Sequence, residues 1–305
     1  MHFLDKIIEN FKLSFVWKSR DKKTVTQKGA DTQLYQEKGA VATVNQFEGL
    51  TINNIQILAH SDNTQLSQDL MNVVAHRFLA EQAVKQRNFS ETVNKANLSL
   101  IESPHEPEKD WLQKWVDVSQ TISKEEVQNM LARILSGEVK NPNTFSLRTL
   151  DVIKNLSKNE LEIFQVFCDI SFNFSLSNAD MLCVIHEPFS GSPGSNSLSS
   201  IGLSYSNLTV LQDAGLIQTD LTAWRELPIQ IFYSVPFSIG SRHYVPKILP
   251  ENPPTNDTDA KLRMSVINFT AVGKEIHKVL NLGFNTEYDE KFVPWFKDKV
   301  KVDLV

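Results

Sequence analysis

The chain has 305 residues, which is enough for two domains of ordinary size. Hydrophobic residues make up 41% of it and include 18 Phe and 5 Trp, so global disorder is excluded. A net charge of -5 argues against a dedicated nucleic-acid coat but leaves room for a local basic patch. Two cysteines, Cys168 and Cys183, are too few for a disulfide framework and suit a reducing cytosol.

Neither a membrane span nor a signal peptide is predicted. No apolar run approaches the roughly 20 residues that a transmembrane helix requires. Asp5 and Glu9 interrupt the segment that would form the apolar core of a signal peptide. The expected location is therefore the cytoplasm.

Residues 1–18 predict an amphipathic helix with a basic balance of charge. Within residues 1–17, apolar side chains recur at helical spacing opposite charged ones, and they are Phe3, Leu4, Ile7, Ile8, Phe11 and Phe15. Such a helix can lie on an anionic membrane surface as a peripheral contact. It can equally pack on a neighbouring helix or on a second copy of the protein, which is the commoner fate of an amphipathic helix.

Residues 19–62 are polar and rich in Lys, Gln and Thr, and they predict a linker or a loosely held arm. A short strand is expected within Leu50–Leu58. From residue 63 to residue 175 the pattern indicates a helical bundle. Its first helix covers Leu66–Ala83 and continues past Val93 towards Leu100.

The stretch from Trp111 to Ile170 contains four helical signals joined by short polar connections, which favour antiparallel neighbours. Ser123 and Glu126 have the spacing of a capping box at the start of the second helix. A third helix is expected after Ser146. The fourth is expected to begin at another capping box, which Ser157 and Glu160 form.

Residues 128–139, Pro142 and the run Phe145–Leu150 resemble the signature of a bacterial family described only as a domain of unknown function. The usual form of that signature is a Trp-Ala pair, an aliphatic pair, Ala-Gly-Glu, a Pro and Phe-Ser-Leu-Arg-Thr-Leu. Here Met130-Leu131 stands where Trp is frequent, and Ser136 stands where Ala is frequent. The resemblance covers roughly residues 85–175 and implies a prophage- or defence-associated context without a mechanism.

Arg148 within this signature has two interpretations. At a helix N-terminus, a guanidinium and backbone N–H groups can converge on a phosphate or another ligand. Alternatively, Arg148 forms an internal ion pair with Glu138 or Asp151, and such structural pairs are far commoner than binding sites.

Residues 176–305 predict a winged-helix-like α/β domain. The order is a helix from Leu203 to Ala214, a turn at Gly215, and a strand that starts at Leu216. Further expected elements are strands in Ile229–Val235, Tyr244–Leu249 and Arg263–Phe269, a helix over Thr270–Leu282, and a terminal edge strand in Lys299–Val305.

The residues expected to line a wing and bind a partner are basic: Arg225, Arg242, His243 and Lys247. DNA recognition by such a fold needs basic residues on or near the recognition helix. The helix of residues 203–214 has none and carries Asp213. The balance favours a protein partner, while DNA remains an alternative.

Searches for catalytic chemistry give two sparse candidates and no cofactor motif. Glu138 and Lys140, with Asp110 or Asp117 upstream, have the residue types and spacing of a metal-dependent nuclease. This run ends a helix, however, whereas such enzymes hold these groups on adjacent strands. Cys183 and His186, with Cys168 as a third ligand, have a usable zinc spacing but lack a fourth ligand.

The sequence thus predicts an α+β fold, mainly α, with a helical bundle followed by the winged-helix-like domain. The expected function is a non-catalytic sensor or protein-interaction component of a bacterial phage-defence or prophage-encoded system. Its expected partner is another protein of that system or a second copy of the chain. A DNA-binding regulator and a metal-dependent nuclease are the alternatives.

Overall fold

The computed structural model describes residues 23–25, 34–36, 41–45, 51–56, 65–96, 98, 101, 103–176, 179–218, 220, 222–248 and 260–305. The chain divides between Asn143 and Thr144 into two compact units. In the described part, helical residues outnumber strand residues, which confirms the expected α+β class with helices predominating. No helix there combines the length and hydropathy that a bilayer span requires. The helix predicted over residues 1–17 lies outside the described residues.

Among the described residues of the first unit there are four short strands and three α-helices. The strands β1 (Lys23–Val25), β2 (Leu34–Gln36), β3 (Val41–Asn45) and β4 (Thr51–Gln56) form two antiparallel pairs, β1–β2 and β3–β4. The helices are α1 (Gln65–Lys95), α2 (Lys109–Thr121) and α3 (Glu125–Lys140). Four strands therefore lie in the segment interpreted as a linker or arm, and β4 confirms the strand expected within Leu50–Leu58.

Trp115 of α2 contacts both other helices described in this unit. Its side chain is fully buried, its ring meets Phe89 of α1 edge to face at 6.2 Å, and its indole N–H donates to the carbonyl of Leu131 in α3 at 3.0 Å. Gln128 of α3 adds polar bonds, because it donates to Ile122 and accepts from Lys95, both at 3.0 Å. Three helices are thereby held together by one aromatic contact and a satisfied polar network.

The capping box expected at Ser123 is wrong. Helix α3 begins at Glu125 with Lys124 as its N-cap, and no side chain caps it. Glu125 and Glu126 instead place two carboxylates in the first turn, where the helix dipole favours negative charge. Farther along the chain, the Ser157–Glu160 box is confirmed in full, with both reciprocal hydrogen bonds present.

The second unit surrounds an antiparallel sheet. Its helices are α4 (Leu147–Asn155), α5 (Lys158–Asp169), α6 (Tyr205–Asp213), α7 (Ala271–His277) and α8 (Thr286–Val300). Its strands are β5 (Phe172–Leu176), β6 (Ala179–Ile185), β7 (Ile217–Gln218), β8 (Trp224–Pro228), β9 (Phe237–Ile239), β10 (Arg242–Tyr244), β11 (Pro246–Ile248), β12 (Lys261–Phe269) and β13 (Val302–Leu304). The strand order is β10-β9-β5-β6-β12-β7, with β8 also paired to β12, while β11 and β13 form a separate pair.

Helices cover both faces of this sheet. On one face Phe172 lies 6.2 Å from the ring of Phe292 in α8, and the hydroxyl of Tyr288 donates to the carbonyl of Ile185 at 2.7 Å. On the other face Phe269 lies 4.9 Å from the ring of Phe167 in α5. Aromatic rings of α5 and α8 thus contact the sheet on its two faces.

Several elements of this unit differ from expectation. Residues 229–235 do not form a strand: Ile229–Tyr233 is a 3₁₀ helix, and the strand β8 precedes it. The helix expected over Thr270–Leu282 is confirmed at its Thr270 cap but ends at His277. The hairpin β5–β6 and the helix α8 were not predicted. Strands β7, β12 and β13 confirm those expected at Leu216, Arg263–Phe269 and Lys299–Val305.

The turn after α6 is held by the chain that follows β12. Gly215 has φ +75°, which suits glycine. Thr270 donates through its hydroxyl to the carbonyl of Gly215 at 2.6 Å. A Cβ on Gly273 would lie 2.0 Å from the carbonyl oxygen of Leu216, so only glycine fits at that contact. Helix α6, strand β7 and strand β12 are therefore fixed relative to one another.

Candidate functional site

The candidate site is a two-stranded ribbon formed by β8 and the first half of β12. Its register runs from Lys261 opposite Pro228 to Ser265 opposite Trp224. The second half of β12 pairs with β6, which anchors the ribbon in the central sheet. Leu262 and Met264 on one side of the ribbon are buried, with 4% and 0% exposure. On this face the β12 strand is thereby attached to the core, while Arg225 of β8 on the same face and most of the Trp224 side of the ribbon are exposed.

Trp224 and Arg263 form the most conspicuous feature of the solvent-facing side. Trp224 is 47% exposed, and the guanidinium carbon of Arg263 lies 4.3 Å from the centroid of its ring. Side chains alternate along a strand, so Trp224, Glu226 and Arg263 share this face. A cation–π contact at an exposed site contributes about 0.5–1 kcal/mol, which is enough to orient the ring.

Charge on the ribbon is mostly positive. Lys261 lies 3.5 Å from the carboxylate of Glu226, so that carboxylate already has a cationic neighbour. On the opposite face Arg225 is exposed, and its guanidinium donates to the side chain of Asn268 at 2.9 Å. Two cations, Lys261 and Arg263, and the carboxylate of Glu226 therefore share the face of Trp224, and Arg225 lies on the opposite face.

The backbone of β8 also has an edge that faces away from β12. Val266 donates to the carbonyl of Ala223 at 2.9 Å, and Ile229 donates to that of Ala260 at 3.0 Å. In an antiparallel pair, every second residue faces the partner strand with both its N–H and its C=O. The residues of β8 that face β12 are thus the odd-numbered ones, so the N–H and C=O groups of Trp224 and Glu226 point away. Among the described strands, β8 pairs with β12 alone.

The structure brings one of the four expected wing residues, Arg225, to this ribbon. Arg242 and His243 lie on β10, at the far end of the sheet order from β12, and Lys247 lies on β11 in the separate two-stranded pair. Arg242 is used internally, since it bonds to Asp289 at 2.9 Å and lies 5.0 Å from the ring centroid of Phe284. Burial raises the pKa of the Asp289 carboxyl, and the nearby Arg242 opposes that rise.

Arg148 is exposed in the first turn of α4, where a carboxylate from the same unit already lies. Glu275 of α7 accepts hydrogen bonds from the backbone N–H of Ser146 at 2.7 Å, from the Ser146 hydroxyl at 3.1 Å and from the Thr149 hydroxyl at 2.6 Å. A helix N-terminus attracts an anion, and here the protein supplies one itself. The Ser and Thr of the signature therefore join α4 to α7.

The expected zinc ligands are buried. Cys183 and His186 are three positions apart along an extended segment, so their side chains point to opposite faces of the sheet. Burial raises the pKa of Cys183 to about 12 and that of Cys168 well above its usual range, while burial lowers the pKa of His186. Within the part of the chain that the structure describes, no group of three His, Cys, Asp or Glu side chains is arranged to hold a metal ion.

The nuclease candidates lie on helices of the first unit. Glu138 is 2% exposed on α3, and its carboxylate accepts from the backbone N–H of Asn143 at 2.6 Å. Lys140 is exposed at the end of the same helix. Asp117 is exposed on α2 and accepts from the amide of Gln113 at 3.0 Å. This bonding gives Glu138 a structural role at the end of α3.

The comparisons with known proteins place this site within a family. A family model described as "Protein of unknown function (DUF2806)" matches residues 73–293, which is more than half of the chain. The chain belongs to the DUF2806 family. An uncharacterised family was expected over roughly residues 85–175, and the DUF2806 region extends well beyond it to include both strands of the ribbon. No curated protein and no solved structure matches this chain.

Sequence reasoning missed Trp224 and Arg263, the two residues that define the surface. Their contact depends on a strand pairing between segments more than thirty residues apart, which no local pattern contains. The available signal was the alternation of charged and apolar residues at the start of β12, where Lys261 and Arg263 flank Leu262. The strand itself was predicted from Arg263 onwards.

Proposed function

We propose that this DUF2806 member is a non-catalytic protein-interaction component and that it contacts its partner through the β8–β12 ribbon. The observation that carries the proposal is Trp224, 47% exposed and stacked against Arg263 beside an outward-facing strand edge. Trp and Arg are enriched among the residues that dominate binding energy at protein interfaces. An oriented aromatic ring also loses little conformational entropy when a partner binds.

The proposed setting is a bacterial phage-defence or prophage-encoded system in the cytoplasm, with the chain as its sensor or adaptor. The resemblance of the signature at residues 128–150 supports this setting, and the matched family has no described function. Comparing phage plaquing on cells with and without the gene tests it. Reduced plaquing of at least one phage is expected in cells that carry the gene, and equal plaquing across a broad panel would contradict the setting.

Site-specific cross-linking tests the interaction surface. A photo-cross-linking amino acid replaces Trp224 in one version of the protein and Tyr205 in another, because Tyr205 is an aromatic residue of nearly equal exposure, 48%, on α6. Cross-links in the native host are expected from position 224 and not from position 205. Excess wild-type protein should suppress them, whereas excess Arg263→Ala protein should not. Equal cross-linking from both positions would count against the ribbon.

A DNA-binding regulator is the second candidate function. The specific observation in its favour is that Arg225, Lys261 and Arg263 lie on a ribbon that follows α6 and β7, the element order of a winged helix. Against it, α6 carries no Lys or Arg. Gel-shift titrations at several salt concentrations separate the two functions. Phosphate contacts give a steep salt dependence, and each lost contact reduces the slope by about one.

A further inference from the structure

The outward edge of β8 is a short and well-defined template for another strand. Trp224 and Glu226 each direct one N–H and one C=O away from β12, and Pro228 offers a C=O without an N–H. Four backbone groups in regular order are therefore followed by a proline that ends the donor pattern. A strand edge of this kind can accept an extended peptide, whose main chain supplies affinity while alternate side chains supply specificity.

The side chains beside this edge determine what peptide would fit. Trp224, steadied by Arg263, faces one side of the ribbon, and a large apolar side chain directly across from it would form a favourable cross-strand pair. Arg225 faces the other side and is exposed. An acidic side chain directly across from Arg225 would add a cross-strand pair of opposite charges.

A second copy of the chain fits this edge poorly. Two β8 strands that pair about a two-fold axis must set outward-facing, even-numbered residues opposite each other. The axis therefore passes through a residue position and not between two residues. Centred on Glu226, the pairing sets two glutamates directly opposite each other. Centred on Arg225, it sets two arginines opposite each other. Like charges directly across strands are destabilising, and a pairing centred on Leu227 uses Pro228, which lacks a donor. A pairing centred on Trp224 uses Thr222, whose N–H already donates to the carboxylate of Asp220 at 3.0 Å.

We propose that β8 binds an extended segment of a different protein as an added strand, with an acidic residue across from Arg225 and a large apolar residue across from Trp224. This inference rests on the proposed function, because it specifies how the ribbon meets its partner. The partner segment then contains adjacent apolar and acidic residues in an otherwise β-prone sequence.

A peptide-display selection tests the proposal. The probe is a library of random ten-residue peptides, selected on the full chain and counter-screened on Glu226→Pro. The N–H of Glu226 points away from β12, so proline there removes an outward donor and leaves the pairing with β12 intact. Glu226→Ala is the matched control, because it removes the carboxylate and keeps the N–H. Thermal unfolding of both variants establishes that they fold.

Selected peptides are expected to share an acidic residue next to a large apolar one. They should bind at least about 10-fold more weakly to Glu226→Pro than to wild type, consistent with the loss of an N–H donor and a clash at the edge. Binding to Glu226→Ala should stay within about 2-fold of wild type, since the backbone bonds persist. No enrichment, or equal binding to wild type and Glu226→Pro, would overturn the proposal.

Amide hydrogen exchange gives a second measurement that needs no variant. A bound peptide should slow exchange at Trp224 and Glu226, whose N–H groups point outward, and should leave exchange at Arg225 and Leu227 unchanged. Uniform protection, or protection at the odd positions alone, would contradict strand addition. If position 224 cross-links a partner while these results are negative, the ribbon binds through side chains alone. In that case the proposed function stands and this inference fails.

Discussion

The signature segment Phe145–Leu150 and the β8–β12 ribbon belong to the same compact unit but use their polar groups in opposite ways. The signature directs the hydroxyls of Ser146 and Thr149 to Glu275, a residue of the protein itself. The ribbon leaves an indole and a guanidinium exposed, and four backbone groups of β8 point away from β12. The most recognisable run of residues therefore serves folding, and the surface suited to a partner lies in a less recognisable part of the family region.

The largest expected effect concerns pH and a histidine beside the signature contact. Burial lowers the pKa of His277 from 6.5 to about 4 in the folded protein. As the pH falls from 6.5 towards 4, His277 binds a proton in the unfolded chain but stays neutral in the folded chain. The free energy of unfolding should fall by about 3 kcal/mol over this window from His277 alone, and this contribution should be constant above it.

Urea unfolding at pH 7 and pH 4.5 measures this loss. His277→Gln should reduce the difference between the two pH values, because glutamine does not titrate. His243→Gln is the matched control, since His243 is exposed on β10 and its replacement should keep the wild-type difference. An identical pH difference in wild type and His277→Gln would contradict the expected role of burial.

Replacing Glu275 tests the contact between α4 and α7. Glu275→Ala removes the acceptor of three hydrogen bonds and leaves the Thr149 hydroxyl, which belongs to a buried residue, without it. The expected loss in the free energy of unfolding is about 2 kcal/mol, measured by urea denaturation. Glu275→Gln keeps an oxygen acceptor and should lose about half as much. A Glu275→Ala protein as stable as wild type would mean that the signature does not stabilise this contact.

Replacing Trp224 should weaken partner binding strongly and stability only slightly. Trp224→Ala is expected to lower the free energy of unfolding by about 1 kcal/mol, because the ring is half exposed and loses one cation–π contact. Binding of a selected peptide, followed by fluorescence anisotropy, should weaken by about 30-fold, which corresponds to the 2 kcal/mol of a hot-spot residue. A large stability loss with unchanged binding would make Trp224 a structural residue.

Arg148 should give the smallest effect. Its side chain is exposed in the signature, and an exposed residue outside a defined contact typically changes stability by less than about 0.5 kcal/mol. Arg148→Ala should therefore unfold at the same urea concentration as wild type and bind the selected peptides equally well. A loss in either measurement would move the proposed contact surface towards the N-terminus of α4.

Elements whose causes are local could be predicted from the sequence. The Ser157 capping box and the Thr270 cap are each formed by residues within one helical turn, and both are confirmed. Ser123 had the same spacing, but the helix begins two residues later at Glu125. The expectation failed there because a capping pattern does not determine where the chain turns into the helix.

Elements that depend on distant partners could not be predicted in this way. Helix α8 contains Pro294, which usually ends a helix, yet Tyr288, Phe292 and Phe296 are fully buried by packing in the core of the unit. Strand β8 exists because β12 pairs with it. A strand is expected over Ile229–Val235, but Ile229–Tyr233 forms a 3₁₀ helix, so tertiary packing outweighs local β propensity there.

The position of β12 has a consequence for biosynthesis. This single strand bonds to β6, β7 and β8, all of which precede it in the chain. While the ribosome is still producing residues 186–260, the β5–β6 hairpin has been made, but the edge of β6 that pairs with β12 is still unpaired. Such an edge is prone to aberrant pairing, so a nascent chain stalled before Lys261 should be a preferred client of chaperones.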